Sequence, residues 1–293
     1  MSHSTIQGII PPMVTPFDDN EALDLAAVQR EATRLLSAGV DGLSFAGSTG
    51  EGALLCDDEL EAGVRAIRAV VGKSVPLLCG IIRNSTKDAI SAAHAAMRGG
   101  ADCLMVTPTY YHGTSTSGNL AYFNAIHKNT GMPIILYNVI QNNPILPDAV
   151  PLLEEIPGVI GIKQSVGGVH ALVDMIAACQ DRLTVFAAQD DLLYLSYIAG
   201  AKGAISAILT LFPEECVAQW NAVLRGDLAA ARAINDRMLP VWRAIEGKAF
   251  PGRLKTALKL MGITVGNARH PILPTEEWAA VSIRCALQQN GFI

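Results

Sequence analysis

The apolar run Val159-Ile160-Gly161-Ile162-Lys163 ends in an amine, the side chain in this sequence best placed to act as a nucleophile. Burial at a strand end disfavours an ammonium, and a free amine adds to a carbonyl to form an imine. The bland alternative is a lysine that carries its charge past the strand end into water. A second run, Ile134-Ile135-Leu136-Tyr137-Asn138, finishes with a phenol that can give or take a proton without a metal, or can simply pack its ring with the hydroxyl on backbone. A third feature is the loop Gly47-Ser48-Thr49-Gly50-Glu51-Gly52, whose glycines let N–H groups turn inward beside two hydroxyls. It suits a carboxylate. A phosphate cradle is the rival, but no Gly-Lys-Ser/Thr follows, which excludes a Walker loop. Metal ligation finds no support: His94 falls in a helical segment, His127 near a helix end, and His112, His170 and His270 in loops, without His-x-His or HExxH spacing.

All three features follow brief apolar runs, and such runs recur along the chain. The strand candidates are Gly8 to Val14, Gly42 to Phe45, Val75 to Cys79, Cys103 to Val106, Pro133 to Tyr137, Val159 to Lys163, Leu183 to Ala187 and Gly203 to Ser206. None has a clean period of two, as expected of strands buried on both faces of a parallel sheet. Between them lie segments of helical period such as Leu25 to Ser37, with Asp24 as its expected cap and Gly39 beyond its end. Repeated βα units in this number predict an α/β fold, a (β/α)8 TIM barrel, rather than a doubly wound sheet. The barrel is expected over residues 1–224. A C-terminal helical region is expected over 225–293, punctuated by Gly226, Pro240, Gly247, Pro251, Gly262 and the Pro271 to Pro274 turn. In such a barrel the loops after the strands converge on one mouth, and adjacent strands would bring Tyr137 and Lys163 together there.

Composition narrows the classes. Lys and Arg number 22 against 27 Asp and Glu, a net charge of −5 that offers no basic stripe to a nucleic acid. With 50% hydrophobic and 17% charged residues, the chain is far from the regime of disorder. No stretch approaches the roughly 18 apolar residues of a membrane span, and Met1 to Thr5 lacks a secretory pattern, so no membrane partner and a cytoplasmic location are expected. Cys56, Cys79, Cys103, Cys179, Cys216 and Cys285 stand singly in apolar surroundings, without CxxC spacing, and are expected to be buried, reduced thiols.

Taken together, Thr15-Pro16-Phe17, Gly47-Ser48-Thr49-Gly50-Glu51, Thr107-Pro108-Thr109-Tyr110-Tyr111, Tyr137-Asn138, Gly161-Ile162-Lys163, Asp190-Asp191, Lys255-Thr256-Ala257-Leu258-Lys259 and Pro271-Ile272-Leu273-Pro274 span almost the whole chain. In this order they resemble the dihydrodipicolinate synthase and N-acetylneuraminate lyase superfamily of pyruvate-dependent class I aldolases. The resemblance implies that Lys163 forms the Schiff base with a 2-oxo acid and that Tyr137 shuttles protons. It implies that Thr49 relays protons toward a second tyrosine, Tyr111 or its neighbour Tyr110, which reaches the adjacent subunit of a homotetramer built from dimers. Ser48 and Thr49 would grip the carboxylate, and the imine would serve in place of any cofactor or metal.

The sequence also departs from the synthase pattern. Asn142 stands near the place where synthases carry an arginine for the aldehyde's carboxylate, and an amide gives no bidentate charged grip. Lysine biosynthesis is therefore not the expected reaction. Ser165, Gln189, Ser206, Asp190 and Asp191 are expected at the substrate's other end, facing a polyhydroxy 2-oxo acid, with the Asp pair alternatively capping the seventh helix. The leading expectation is a lyase joining or cleaving a carbon–carbon bond between pyruvate, or a related 2-oxo acid, and an aldehyde. Two others stand beside it: a dehydratase of a 2-oxo-3-deoxy sugar acid using the same imine, and a non-catalytic 2-oxo-acid sensor on the same barrel.

Overall fold

The computed structural model describes residues 6–293; Met1 to Thr5, part of the N-terminal reading above, lies outside the described residues. Eight parallel strands form one sheet: β1 (Gly8–Ile9), β2 (Leu43–Phe45), β3 (Leu77–Ile81), β4 (Cys103–Val106), β5 (Ile134–Asn138), β6 (Val159–Gln164), β7 (Thr184–Ala187) and β8 (Gly203–Ala204). Helices follow the strands in turn: α1 (Leu25–Ser37), α2 (Asp57–Val71), α3 (Thr86–Gly99), α4 (Thr116–Thr130), the short α5 (Val150–Leu153), α6 (Gly168–Cys179), α7 (Leu193–Ile198), and α8 (Ile208–Leu211) with α9 (Pro213–Leu224). Three more helices, α10 (Leu228–Ile245), α11 (Phe250–Leu260) and α12 (Glu277–Gln289), complete the chain. This is the expected (β/α)8 barrel with a helical C-terminal region.

The sheet runs β2 to β8 in sequence order and returns to β1. Closure between β1 and β2 passes through a parallel bridge at Pro12 and Ser44, with the Ser44 N–H donating to Pro11 O (3.0 Å) and the Met13 N–H to Ser44 O (2.8 Å). The first strand is shorter than the expected Gly8 to Val14 because Pro11 and Pro12 have no N–H for a ladder. Two layers of core result. Ile10, Leu78, Met105, Ile135, Phe186 and Ile205 fill the barrel, and a larger cluster that includes Phe45, Val64, Phe123 and Leu172 lies between strands and helices. That outer cluster continues into Val241, Leu258 and Ile283 of the last three helices.

Local signals behave as expected at α1, where the Asp24 carboxylate accepts the Ala27 N–H at 2.9 Å. Elsewhere they do not. Pro240 lies inside α10 rather than ending it, and His170 lies within α6 rather than in a loop. Cys56 and Cys285 are exposed, correcting the expectation of six buried thiols. Cys79 and Cys103 are fully buried, and loss of hydration pushes both thiols up to about 12.

Candidate active site

Strand register places the two central groups side by side. Tyr137 of β5 pairs with Lys163 of β6, and the Lys163 Nζ sits 3.8 Å from the centroid of the Tyr137 ring. Both are buried at the ends of their strands, with Lys163 only 4% exposed. Alternation along the strand explains why: Ile135 and Tyr137 point into the barrel, whereas Ile134 and Leu136 pack outward. The same alternation carries Cys103 and Met105 of β4 inward and brings Thr107, just past that strand, to the level of Tyr137. The Thr107 hydroxyl is buried and has no hydrogen-bond partner.

The loop after β2 supplies a third group. Ser48 Oγ and the Tyr137 hydroxyl share a hydrogen bond at 3.2 Å. Thr49, given the relay on resemblance, makes no such contact; the hydroxyl beside Tyr137 belongs to Ser48. The loop is bent between two non-glycine residues in left-handed conformation, Ala46 (φ 58°) and Glu51 (φ 55°), a conformation that costs on the order of 1 kcal/mol or more per residue. It also lies against neighbouring backbone. A Cβ on Gly80 of β3 would stand 2.2 Å from Ala46 O, so the loop fits only over a glycine. Among the described residues no acceptor takes the N–H of Ser48 or Thr49, which leaves both donors for an anion.

At the opposite side of the mouth Asp190 accepts hydrogen bonds from the Ser206 hydroxyl and from the Ile208 N–H (2.7 Å). Withdrawal from water pushes its carboxyl up to about 6, opposed by those two donors and by nearby Lys163. Asp190 thus ties the loop after β7 to the start of α8 and does not cap α7, whose N-cap residue is Leu192. Asp191 pairs with Arg243 of α10 at 2.7 Å. Ser206 is buried with its hydroxyl taken up by Asp190, and the Gln189 amide donates to Ser165 O at 3.1 Å. The expected substrate contacts Ser206 and Gln189 are therefore tied to protein groups.

Tyr111 and Asn142 stand apart from this cluster. Tyr111 is 74% exposed, with its ring edge-on to His112 at 4.7 Å. Asn142 is exposed, and its amide donates to Tyr110 O at 3.4 Å. The segment carrying both tyrosines is fixed by Asn84, whose Oδ1 accepts the N–H groups of Tyr110 (3.0 Å) and Tyr111 (2.9 Å). Sequence reasoning missed Asn84 although it follows β3 as Ser48 follows β2. It gave no role to Asn138, which is buried and joins Gln164 Oε1 (2.8 Å) and both backbone groups of Ile145, pinning the ends of β5 and β6.

Comparisons with known proteins agree with this geometry. Residues 5–290 match the Dihydrodipicolinate synthetase family. The chain is 33% identical over 294 residues to the 4-hydroxy-tetrahydrodipicolinate synthase of Pseudomonas aeruginosa, covering 98% of this chain and 99% of that protein. It is 33% identical to the enzyme of the same name from Exiguobacterium sp., covering 96% and 97%. Among solved structures, a prophage protein of the dihydrodipicolinic acid synthase family from E. coli K12, in complex with pyruvate, superposes with a TM-score of 0.94 at 29% identity, over 99% of this chain and all of that one. The dihydrodipicolinate synthase of Thermotoga maritima gives 0.93 at 26% identity, over 99% of this chain and all of that one. With a match over nearly its entire length, and a lysine–tyrosine pair at the mouth of its barrel, the chain belongs to the dihydrodipicolinate synthetase family.

Proposed function

We propose that this protein is a Schiff-base-forming lyase that makes or cleaves a carbon–carbon bond between pyruvate, or a related 2-oxo acid, and an aldehyde. The observation that carries it is the buried Lys163 amine over the Tyr137 ring, with Ser48 on the tyrosine hydroxyl. The Lys163 Nζ attacks the C2 carbonyl, and the carbinolamine loses water as Tyr137 delivers a proton to the departing oxygen. The protonated imine draws electrons from C3, a proton leaves C3, and the resulting enamine attacks the aldehyde carbon. Water then adds back at C2, returning the amine and releasing the product. The imine acts as electron sink, so the chemistry asks for no cofactor or metal. Ser48 is the hydroxyl placed to pass protons to and from Tyr137, and the free N–H groups of Ser48 and Thr49 suit the substrate carboxylate.

Family resemblance adds a homotetramer built from dimers, in which the exposed Tyr111 would complete a neighbour's site, and a cytoplasmic setting. Within the described residues no helix is long and apolar enough to cross a membrane. We assign residues 1–224 to the catalytic barrel and 225–293 to the helical region. A second reading is loss of a hydroxyl from a 2-oxo-3-deoxy sugar acid through the same imine; the neutral Asn142 amide, which serves Tyr110 O, offers no charged grip to an acidic aldehyde. Pyruvate with borohydride should leave a reduced adduct on Lys163 by intact mass and peptide mapping, and Lys163→Ala should abolish it in a folded protein. An adduct that persists in the variant would mean that the imine forms on another lysine and overturn the role of Lys163, and no adduct on the native protein would overturn the catalytic reading in favour of a sensor.

A further inference from the structure

Among the described residues Glu51 and Lys255 form the most deeply buried ion pair, and no step of the proposed reaction uses it. The side chains are 0% and 1% exposed, and Nζ lies 2.6 Å from Oε1. Lys255 belongs to α11, in the helical region beyond the barrel; Glu51 closes the loop that carries Ser48 and Thr49. The ammonium has three acceptors, because it also donates to Thr15 O (2.7 Å) and Asn267 O (2.8 Å). The other carboxylate oxygen of Glu51 accepts the Arg269 N–H at 2.8 Å. Thr15 in turn donates from its hydroxyl to Gly50 O at 2.6 Å, so one lysine reaches the loop both through Glu51 and through the Thr15 backbone. Phe17 lies under both cations, 4.6 Å from Lys255 Nζ and 4.1 Å from the Arg269 guanidinium.

A solvated loop could be held by hydrogen bonds between neutral groups. Burying two charges costs far more hydration, and removing one partner strands the other, so the loop is fixed in one geometry rather than merely attached. What that geometry decides is visible three residues away, where the left-handed turn at Glu51 sets the course of a loop whose Ser48 Oγ must stay within reach of Tyr137. We propose that Lys255, through Glu51, is a positioning residue for proton transfer: it holds the left-handed turn that keeps the Ser48 hydroxyl on Tyr137. The proposal rests on the imine mechanism given above. It assigns a function in the reaction to a helix outside the barrel.

The test separates imine formation from proton movement. Separate samples of native protein and Lys255→Met are used for the two measurements: one is labelled to completion with pyruvate and borohydride, and in the other, never exposed to borohydride, exchange of the pyruvate methyl protons with D₂O is followed by NMR at saturating pyruvate. Lys255→Met should label on Lys163 to within threefold of native yet exchange at least tenfold more slowly, with little change in KM. The double variant Glu51→Gln/Lys255→Met removes both charges and should melt closer to native while exchange stays slow. It serves as the deciding protein if the single variant does not fold. Exchange within threefold of native in either folded variant overturns the proposal. Failure of the native protein to label overturns the imine mechanism itself, and the positioning role with it.

Discussion

Ser48 and Thr49 carry the same hydroxyl chemistry at adjacent positions, and only the local backbone decides which of them meets Tyr137. Lys163 and Tyr137 were legible in the sequence because each ends an apolar run and strand pairing does the rest. No comparable rule orients a side chain in a loop whose flanking residues adopt left-handed conformations, so the relay fell on Thr49 by resemblance and on Ser48 by geometry. The pair can be told apart kinetically. Ser48→Ala should lower kcat by about 10²-fold, the lower range for a lost acid–base group, with KM for pyruvate little changed. Thr49→Val should act mainly on KM; steady-state kinetics showing the larger kcat loss in Thr49→Val would return the relay to Thr49. Asp190 makes a second prediction at this scale. Its carboxyl is raised to about 6, above the value of an unfolded chain, so the folded state holds the extra proton between about pH 4 and 6. The contribution to stability is present at acid pH and is lost as pH rises through 6. The melting temperature of native protein minus that of Asp190→Asn should therefore be larger at pH 4 than at pH 7. A difference that stays flat would mean the carboxyl titrates where an unfolded one does, and one that grows with pH would mean it titrates lower.

Elements were read best where burial is two-sided and least well where prolines intervene. Strands β4 to β8 lie within a residue or two of the runs from which they were expected, because a strand covered on both faces must be apolar throughout. Strand β1 shrinks to Gly8–Ile9, since Pro11 and Pro12 contribute carbonyls but no N–H, and the barrel closes instead through the bridge at Ser44. Pro240 misleads in the other direction: its ring is accommodated inside α10, a tertiary decision that local propensity does not reveal. Close approach between elements is equally hidden. Gly80 reads as one residue of a strand, yet an added Cβ would meet Ala46 O at 2.2 Å, backbone that cannot rotate away. Gly80→Ala should lower stability by at least about 2 kcal/mol, in the range for overpacked cores. It should also reduce kcat by displacing the loop that follows Ala46. Denaturant midpoints and turnover measured together check this; a variant with native stability and activity would show the loop to be freer than its contacts imply.

At the scale of the whole molecule, the helical tail was legible as helices but not as part of the core. Its apolar residues show periodicity, which says that a face is buried without saying against what. In the folded chain Phe292 stacks on Phe212 with ring centroids 3.9 Å apart, and Met238, Leu254 and Leu287 join the cluster that covers the barrel. A chain ending at Leu224 should therefore lack a cooperative melting transition and bind a dye such as ANS, whereas a native-like transition would show the barrel to stand alone. The Glu51 cluster gives this dependence an order in time. Synthesis proceeds from the N-terminus, so the loop of residues 47–52 is made first, whereas Lys255, which with Asn267 and Arg269 fixes its far end, follows Glu51 by 204 residues. A nascent chain stalled before residue 255 would hold the amine and the phenol but not the constraint on the serine, so the serine is held only after α11 and Arg269 have been made.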